Sequence, residues 1–290
     1  MILDRLEDVD ERAQTRRLLR SEAAPTVVLF HGLTATPRQY DELAPLLHER
    51  GCNVLVPRLP GHGYRDRLTD ALASLEVAEL IAAVKLALVE ARTLGASVTV
   101  AGFSLGGLLA AYVAQREMVA RAVCIAPFFG CWWWPQWFAR NAPDWLGHVP
   151  QSLFLWWNPI LRSHHSTDGY PRYPASAVRE SLILAQAVFE DARENAPLTQ
   201  SIGLVINPRE STCNNDLAYD LGELWRARGA SVDAVELSGL GVSHDFMTPR
   251  KGRERARALA YPQILRAILP CHPERSTPLR GAECEGQRPS

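Results

Sequence analysis

Ser97-Val98-Thr99-Val100-Ala101-Gly102-Phe103-Ser104-Leu105-Gly106-Gly107-Leu108 is the stretch that decides how this chain is organised. Ser97 to Phe103 is a β-branched and aliphatic run without alternation, the pattern of a strand buried on both faces. Leu105 to Arg116 reads as a helix. A strand that passes straight into a helix needs a tight turn. Glycines two before and two after Ser104 leave room where side chains would collide, and the serine stays on the outside of the bend. Leu105 opens the helix, so its backbone N–H has no partner within it. With the helix dipole behind it, that group points to where negative charge would develop at Ser104.

Working outward, the same alternation recurs on both sides. Thr26 to Phe30 and Asn53 to Leu59 read as buried strands, with a helix Pro37 to Arg50 between them that stops at Gly51. Ser74 to Leu94 is helical, with Leu80, Ile81, Val84 and Leu88 on one stripe. Beyond the Leu105 helix come a strand Arg121 to Ala126 and, after an interruption, a strand Ile202 to Asn207. A helix Asn215 to Arg228, a strand Ser231 to Leu237 and a helix from about Gly252 to Ile268 follow. Strands alternating with helices at these spacings imply right-handed crossovers and an α/β fold, a mostly parallel open sheet flanked by helices.

Three segments fall outside the alternation. Residues 1–24 read as a charged helical segment, ahead of a core made of 25–126 and 201–269. Residues 127–200 hold seven of the eight tryptophans, interleaved with prolines; this is too long for a plain loop and predicts an inserted helical cap. Residues 270–290, rich in Pro, Gly, Glu and Arg, read as a disordered tail.

The chain has 290 residues, 47% hydrophobic and 22% charged, the balance of a globular protein. Its 31 basic and 32 acidic residues set up no global field for polyanions, which argues against nucleic acid as a partner. No transmembrane run is present and Met1 to Arg20 is charged throughout, so a cytoplasmic location is expected. Six cysteines, Cys52, Cys124, Cys131, Cys213, Cys271 and Cys284, are too dilute for a disulfide scaffold and lack zinc-motif spacing. No metal and no cofactor is therefore expected, and Cys52 and Cys124 read as packed free thiols.

A serine hydroxyl needs a base to take its proton and an acid to orient that base. His244, in Gly241-Val242-Ser243-His244-Asp245-Phe246, follows the last strand, where a loop at the carboxyl edge of the sheet would hold it beside Ser104. Two carboxylates compete for the acid. Glu210 is the first beyond the strand Ile202 to Asn207; Asp216 lies at the start of the next helix, where an Asp commonly serves exposed N–H groups, so Glu210 is preferred. His62 reads as a loop-holding residue, and His164-His165 and the run Arg250 to Arg255 as solvated surface.

With these residues in order, the chain resembles the α/β-hydrolase superfamily, near its bacterial carboxylesterase and monoacylglycerol-lipase-like members. The matching motifs are His31-Gly32-Leu33-Thr34-Ala35, Pro60-Gly61-His62-Gly63, the turn around Ser104, Glu210 and His244-Asp245, spanning Thr26 to Leu269. The resemblance implies a Ser104-Glu210-His244 triad, with the backbone N–H groups of Leu33 and Leu105 as oxyanion donors. It departs from the family in two places. The start lacks the family's usual pair of extra antiparallel strands, leaving a shorter sheet or a truncated start, and the acid is Glu where Asp is commoner. The expected activity is hydrolysis of carboxylic esters of hydrophobic acyl groups. Acyl thioesterase or lysophospholipase is the alternative, and outside catalysis a hydrophobic-ligand binding protein. The expected partner is a small hydrophobic ester, with Trp132, Trp133, Trp134, Trp137, Trp156 and Trp157 as candidate substrate-binding residues. Oligomeric state is not legible.

Overall fold

A computed structural model describes residues 6–135, 145–160 and 168–269. Its frame is one sheet of seven strands: β1 (Arg16–Leu18), β2 (Thr26–Phe30), β3 (Asn53–Val56), β4 (Val98–Phe103), β5 (Arg121–Ile125), β8 (Ser201–Ile206) and β9 (Ser231–Glu236). They lie in the order β1-β3-β2-β4-β5-β8-β9. Every pairing is parallel except β1 with β3. Among the described residues six α-helices accompany the strands: α1 (Leu43–Glu49), α2 (Val77–Leu94), α3 (Leu105–Arg116), α4 (Ala175–Glu194), α5 (Asn215–Ala227) and α6 (Glu254–Ile268).

Why the strands lack alternation is now visible. Val28, Phe30, Val100, Cys124 and Leu204 face one apolar layer, built with α2, α3, α4 and α5. Their chain neighbours Val27, Leu29, Ala101, Val123 and Val205 face the other, built with α1 and α6. A strand covered on both sides has no polar face to display. At the end of β5 the buried Arg121 guanidinium is matched group by group: it donates to Ala267 O at 2.6 Å, Ser201 Oγ at 2.6 Å and Asp233 Oδ2 at 3.0 Å, tying β5 to α6, β8 and β9.

Element boundaries shift where local chemistry overrides periodicity. β3 stops at Val56 because Pro57 has no N–H to continue the ladder. The helix expected from Ser74 starts at Val77, behind a capping box in which Glu76 and Glu79 each accept from the other's backbone end. The Pro37 to Arg50 helix divides into a 3-10 turn, Pro37–Tyr40, and α1.

Two expectations need correction. Residues 6–24 are not a helix; they form two 3-10 turns, Leu6–Asp8 and Glu11–Ala13, and then β1. β1 pairs antiparallel with β3, Arg17 opposite Leu55, and so adds one edge strand where the sequence offered none. An edge strand tolerates charged side chains, since only its backbone must pair; the Arg17 guanidinium reaches across to Glu90 instead of into the core. The segment 127–200, read as helical, contains in its described part a two-stranded antiparallel sheet, β6 (Phe154–Trp156) with β7 (Arg172–Pro174). Its aromatic residues Phe154, Trp156 and Tyr173 suit a pleated surface. The segment ends in α4, whose Leu184, Ala185, Val188 and Ala192 are part of the main apolar layer.

Among the described residues no helix is long and apolar enough to cross a membrane. Cys52 and Cys124 are buried free thiols, and the stretches holding His164-His165, Cys271, Cys284 and the tail 270–290 lie outside the described residues.

Trp225, fully buried on α5, gives a test of this packing: its indole N–H donates to Gln115 Oε1 at 2.8 Å and links α5 to α3. Trp225→Ala is expected to cost about 3–5 kcal/mol and to orphan the buried Gln115 amide. Urea unfolding reads the loss directly, and a midpoint near wild type would contradict the packing described.

Candidate active site

The site is organised by a turn that only glycines permit. β4 runs into α3 at Ser104, which adopts φ 57° and ψ −113°, a strained backbone conformation for a residue with a side chain. A Cβ at Gly102 would lie 2.0 Å from the Gly106 carbonyl oxygen, and one at Gly106 would lie 1.8 Å from the Phe30 oxygen at the end of β2. Both contacts are impossible, so β4, α3 and the end of β2 approach as closely as they do because these two residues have no side chains. The strained serine is held by its own backbone: its N–H donates to Ile125 O at 3.0 Å, and its carbonyl accepts from Leu108 and Phe128, each at 3.0 Å. Ser104 is 8% exposed, covered yet reachable.

Two loops at the same edge of the sheet bring in the partners. His244 Nε2 lies 3.2 Å from Ser104 Oγ, and His244 Nδ1 lies 2.8 Å from Glu210 Oε2. A carboxylate can only accept, so Nδ1 carries the proton and Nε2 is left to accept from the serine. Glu210 is itself pinned, its Oε1 accepting from the backbone N–H groups of Ser211 and Thr212 at 2.8 Å each. Its side chain is 1% exposed. Asp216, the rival acid, is exposed on the first turn of α5, and Asn214 caps that helix by accepting from Asp216 and Leu217 N–H groups.

The electrostatics at His244 oppose one another. Burial by itself lowers the pKa of the imidazole, and negative charge beside it raises it; the raising effects win, and the value stands well above the ordinary 6.5. Cys213 and Glu210 both lie within reach, but burial pushes the Cys213 thiol up and keeps it protonated at neutral pH, so the acting charge is the Glu210 carboxylate.

The motif after β2 lies against this centre. A Cβ at Gly32 would meet Ser104 Cβ at 3.6 Å, which puts the Gly32-Leu33 backbone beside the serine. Leu33 is half-buried, and Thr34 turns with φ 65°. His31 explains the Gly partner that follows it: its Nδ1–H donates to Gly32 O at 3.0 Å, while its Nε2 accepts from the Leu59 N–H at 3.2 Å. Burial drives its pKa well below 6.5, so the ring is neutral and serves as a bracket between two loops. His62 lies edge-on to His31 and donates from Nδ1 to Pro60 O at 2.8 Å, the loop-holding place expected of it.

The tryptophans divide. Trp132 and Trp133 are 55% and 65% exposed; Trp134 is half-buried and packs against the core layer. Trp132 N–H donates to Thr212 O at 3.1 Å, so these indoles follow directly on the loop that carries Glu210. Trp157 is a tie: its Nε1–H donates to Thr34 Oγ1 at 2.8 Å. Trp156 lies half-buried on β6, and Trp137 lies outside the described residues.

A model of the alpha/beta hydrolase family matches residues 27–267. The chain belongs to that family. No curated protein matches it by sequence. Similar solved structures include the metagenome-derived lipolytic enzymes LipS and LipT (18% identity, TM-score 0.67, covering 90% of this chain and 98% of theirs). The monoacylglycerol lipase of Paleococcus ferrophilus matches at 16% and 0.63, covering 87% and 98%. A soluble variant of the Saccharomyces cerevisiae monoglyceride lipase matches at 11% and 0.65, covering 88% and 90%. At such identities these likenesses speak for the hydrolase fold.

Several residues that hold this hydrolase's site together were not singled out from the sequence. Asn207 Nδ2 donates to Val242 O at 3.1 Å and Ser243 O at 2.8 Å, fixing the loop just ahead of His244. Gln39 accepts from the Gly32 N–H at 2.9 Å and donates to Thr248 Oγ1 at 3.2 Å, linking the Gly32 loop to the segment after His244. Tyr170 binds from the insertion, donating to Gly61 O and accepting from the Tyr64 N–H, both at 2.9 Å. A polar residue immediately after a buried strand was the available signal for Asn207; Gln39 and Tyr170 had none.

The His244 imidazole should titrate above the free-histidine value in heteronuclear NMR. Glu210→Gln removes the negative charge and should move that titration to lower pH. An unchanged midpoint would show that Glu210 does not set the charge at His244.

Proposed function

We propose that the protein is a serine hydrolase of carboxylic esters with hydrophobic acyl groups, working through Ser104, His244 and Glu210. The observation that carries this reading is the unbroken line from Ser104 Oγ to His244 at 3.2 Å and from His244 to Glu210 at 2.8 Å, set on a strained turn. Ser104 Oγ attacks the ester carbonyl while its proton passes to His244 Nε2. Glu210 fixes the ring's tautomer and stabilises the imidazolium. The Leu105 N–H, at the first position of α3, and the Leu33 N–H donate to the oxyanion. Collapse expels the alcohol, which takes the proton from Nε2 and leaves an acyl-Ser104. Water, deprotonated in turn by His244, attacks that ester and releases the acid.

Substrate class rests on the insertion, which we read as a cap over the serine. Trp132 and Trp133, whose indoles are exposed and whose backbone is tied to the loop of Glu210 by the Trp132 main-chain N–H on Thr212 O, offer apolar faces to an acyl chain. An acyl thioester presents the same carbonyl to the same groups, so esters and thioesters belong in one panel.

That panel, p-nitrophenyl esters and acyl thioesters of increasing chain length with a fluorophosphonate label, tests the reading. Ser104→Ala should lose labelling and about 10⁴-fold or more of turnover while still folding. Glu210→Gln should lose far more turnover than Asp216→Asn. Unchanged turnover in Ser104→Ala would overturn the assignment, and labelling without turnover on any member would favour a binding role.

The pH profile follows from the same charge. His244 must be neutral to accept a proton, so kcat/KM rises with pH through the His244 pKa of the free enzyme, and that limb should lie above 6.5. In Glu210→Gln the residual activity should show the limb displaced toward acid. Stopped-flow assays across pH read both.

A further inference from the structure

We propose that Cys213, His244 and Glu210 form a binding site for a thiophilic divalent cation such as Zn²⁺, and that the seated ion disables the imidazole as a base. Folding brings His244 against Glu210 and Cys213, which lie close together in the loop after β8. Cys213 Sγ lies 4.0 Å from His244 Nδ1, Glu210 Oε2 lies 2.8 Å from the same nitrogen, and one donor atom from each residue lies within 4.8 Å of the other two. A tetrahedral Zn²⁺, with bonds of about 2.3 Å to sulfur and about 2.0–2.1 Å to nitrogen and oxygen, spaces its donors about 3.3–3.6 Å apart. The nitrogen–oxygen pair must therefore open by about half an ångström, the sulfur–nitrogen pair close by about the same, and the sulfur–oxygen pair, within 4.8 Å, close by up to about 1.3 Å, a movement that rotation of the Cys213 side chain supplies.

The donor set chooses the ion. One thiolate and one imidazole favour zinc over magnesium or calcium, which prefer oxygen. A coordinating thiol is deprotonated outright, so Cys213 gives its proton to solvent, and the two anions then balance the dication. Cys213 is also held in place: it stands opposite Cys131 in an antiparallel bridge, flanked by the bonds Trp132 N–H to Thr212 O at 3.1 Å and Asn214 N–H to Gly130 O at 2.9 Å.

Coordination at Nδ1 has one consequence for the ring. The nitrogen that donated to Glu210 gives up its proton to solvent and its lone pair to the metal, and the neutral ring takes its one proton from solvent at Nε2 instead. That atom then faces Ser104 as a donor and cannot accept the hydroxyl proton. The ion occupies the Nδ1 side, so inhibition should lower kcat and leave KM unchanged. This second half rests on the proposed hydrolase function; the binding half does not.

The test uses the full chain. Titration with Co²⁺ should give the near-ultraviolet thiolate-to-cobalt band, absent in Cys213→Ala and in Cys213→Ser. Equilibrium dialysis should show Zn²⁺ bound about 100-fold or more weakly by both variants, since a direct ligand is worth at least as much as the outer groups whose loss costs 10–100-fold. In the ester assay Zn²⁺ should lower kcat, a chelator should restore it, and Cys213→Ala, measured against its own metal-free rate, should resist Zn²⁺ to about 100-fold higher concentration. Should Cys213→Ala fail to fold, the near-isosteric Cys213→Ser carries the comparison. Absence of the thiolate band in the folded wild-type chain, or equal Zn²⁺ affinity in wild type and Cys213→Ser, overturns the site. A band without ester turnover leaves the site standing and removes the ester reading, whereas turnover without the band does the reverse.

Discussion

The crossing of three backbones at Gly102 and Gly106 governs everything else in this molecule. With a Cβ at Gly106 barred by the Phe30 oxygen at 1.8 Å, the end of β2, the end of β4 and the start of α3 share a space that no side chain can enter. That crowding forces Ser104 into a left-handed conformation and aims its hydroxyl away from the sheet. It also brings the Gly32 loop against the serine, so one steric fact places both the candidate nucleophile and the neighbouring backbone donors. The strain of order 1–3 kcal/mol that such a residue carries is sustained by the two apolar layers on either side of the sheet.

Around this fixed point the other groups arrive on loops, and loops need fastening. Glu210 is pinned by two backbone N–H groups, the His244 loop by the Asn207 amide, and the Gly32 loop by Gln39, whose other end reaches Thr248. The Asn207 and Gln39 clamps are buried amides spanning two chain segments, while Glu210 is held within its own loop. Such side chains lose little by being ordered, because the strands beneath them are already rigid.

What could be read from the chain alone follows from how local each cause is. The elbow, the parallel strands and the helix Leu105–Arg116 were legible because steric demands of glycine and two-sided burial leave marks within a few residues. The meeting of Ser104, Glu210 and His244 was legible from their order after strand ends; Glu210 was preferred to Asp216 because the latter lies at a helix start, though it is Asn214 that accepts from the N–H groups there. β1 was hidden: Arg16 and Arg17 look like helix surface, and only the free edge of β3 recruits them as a strand. The β6–β7 pair was hidden for a similar reason, each strand being three residues long and stabilised by the other. Cys213 beside His244 could not be read at all, since the contact depends on the bridge to Cys131.

Thr34 is one of the points at which the inserted segment is fastened to the core. Its side chain accepts from the Trp157 indole and its carbonyl accepts from the Tyr170 N–H, so the residue next to Leu33 is clasped twice by the inserted segment. A clasp transmits force in both directions. Any displacement of Trp157 or Tyr170 tugs on a bend already committed to φ 65°, so the seating of the insertion and the course of the backbone beside the serine are one mechanical unit.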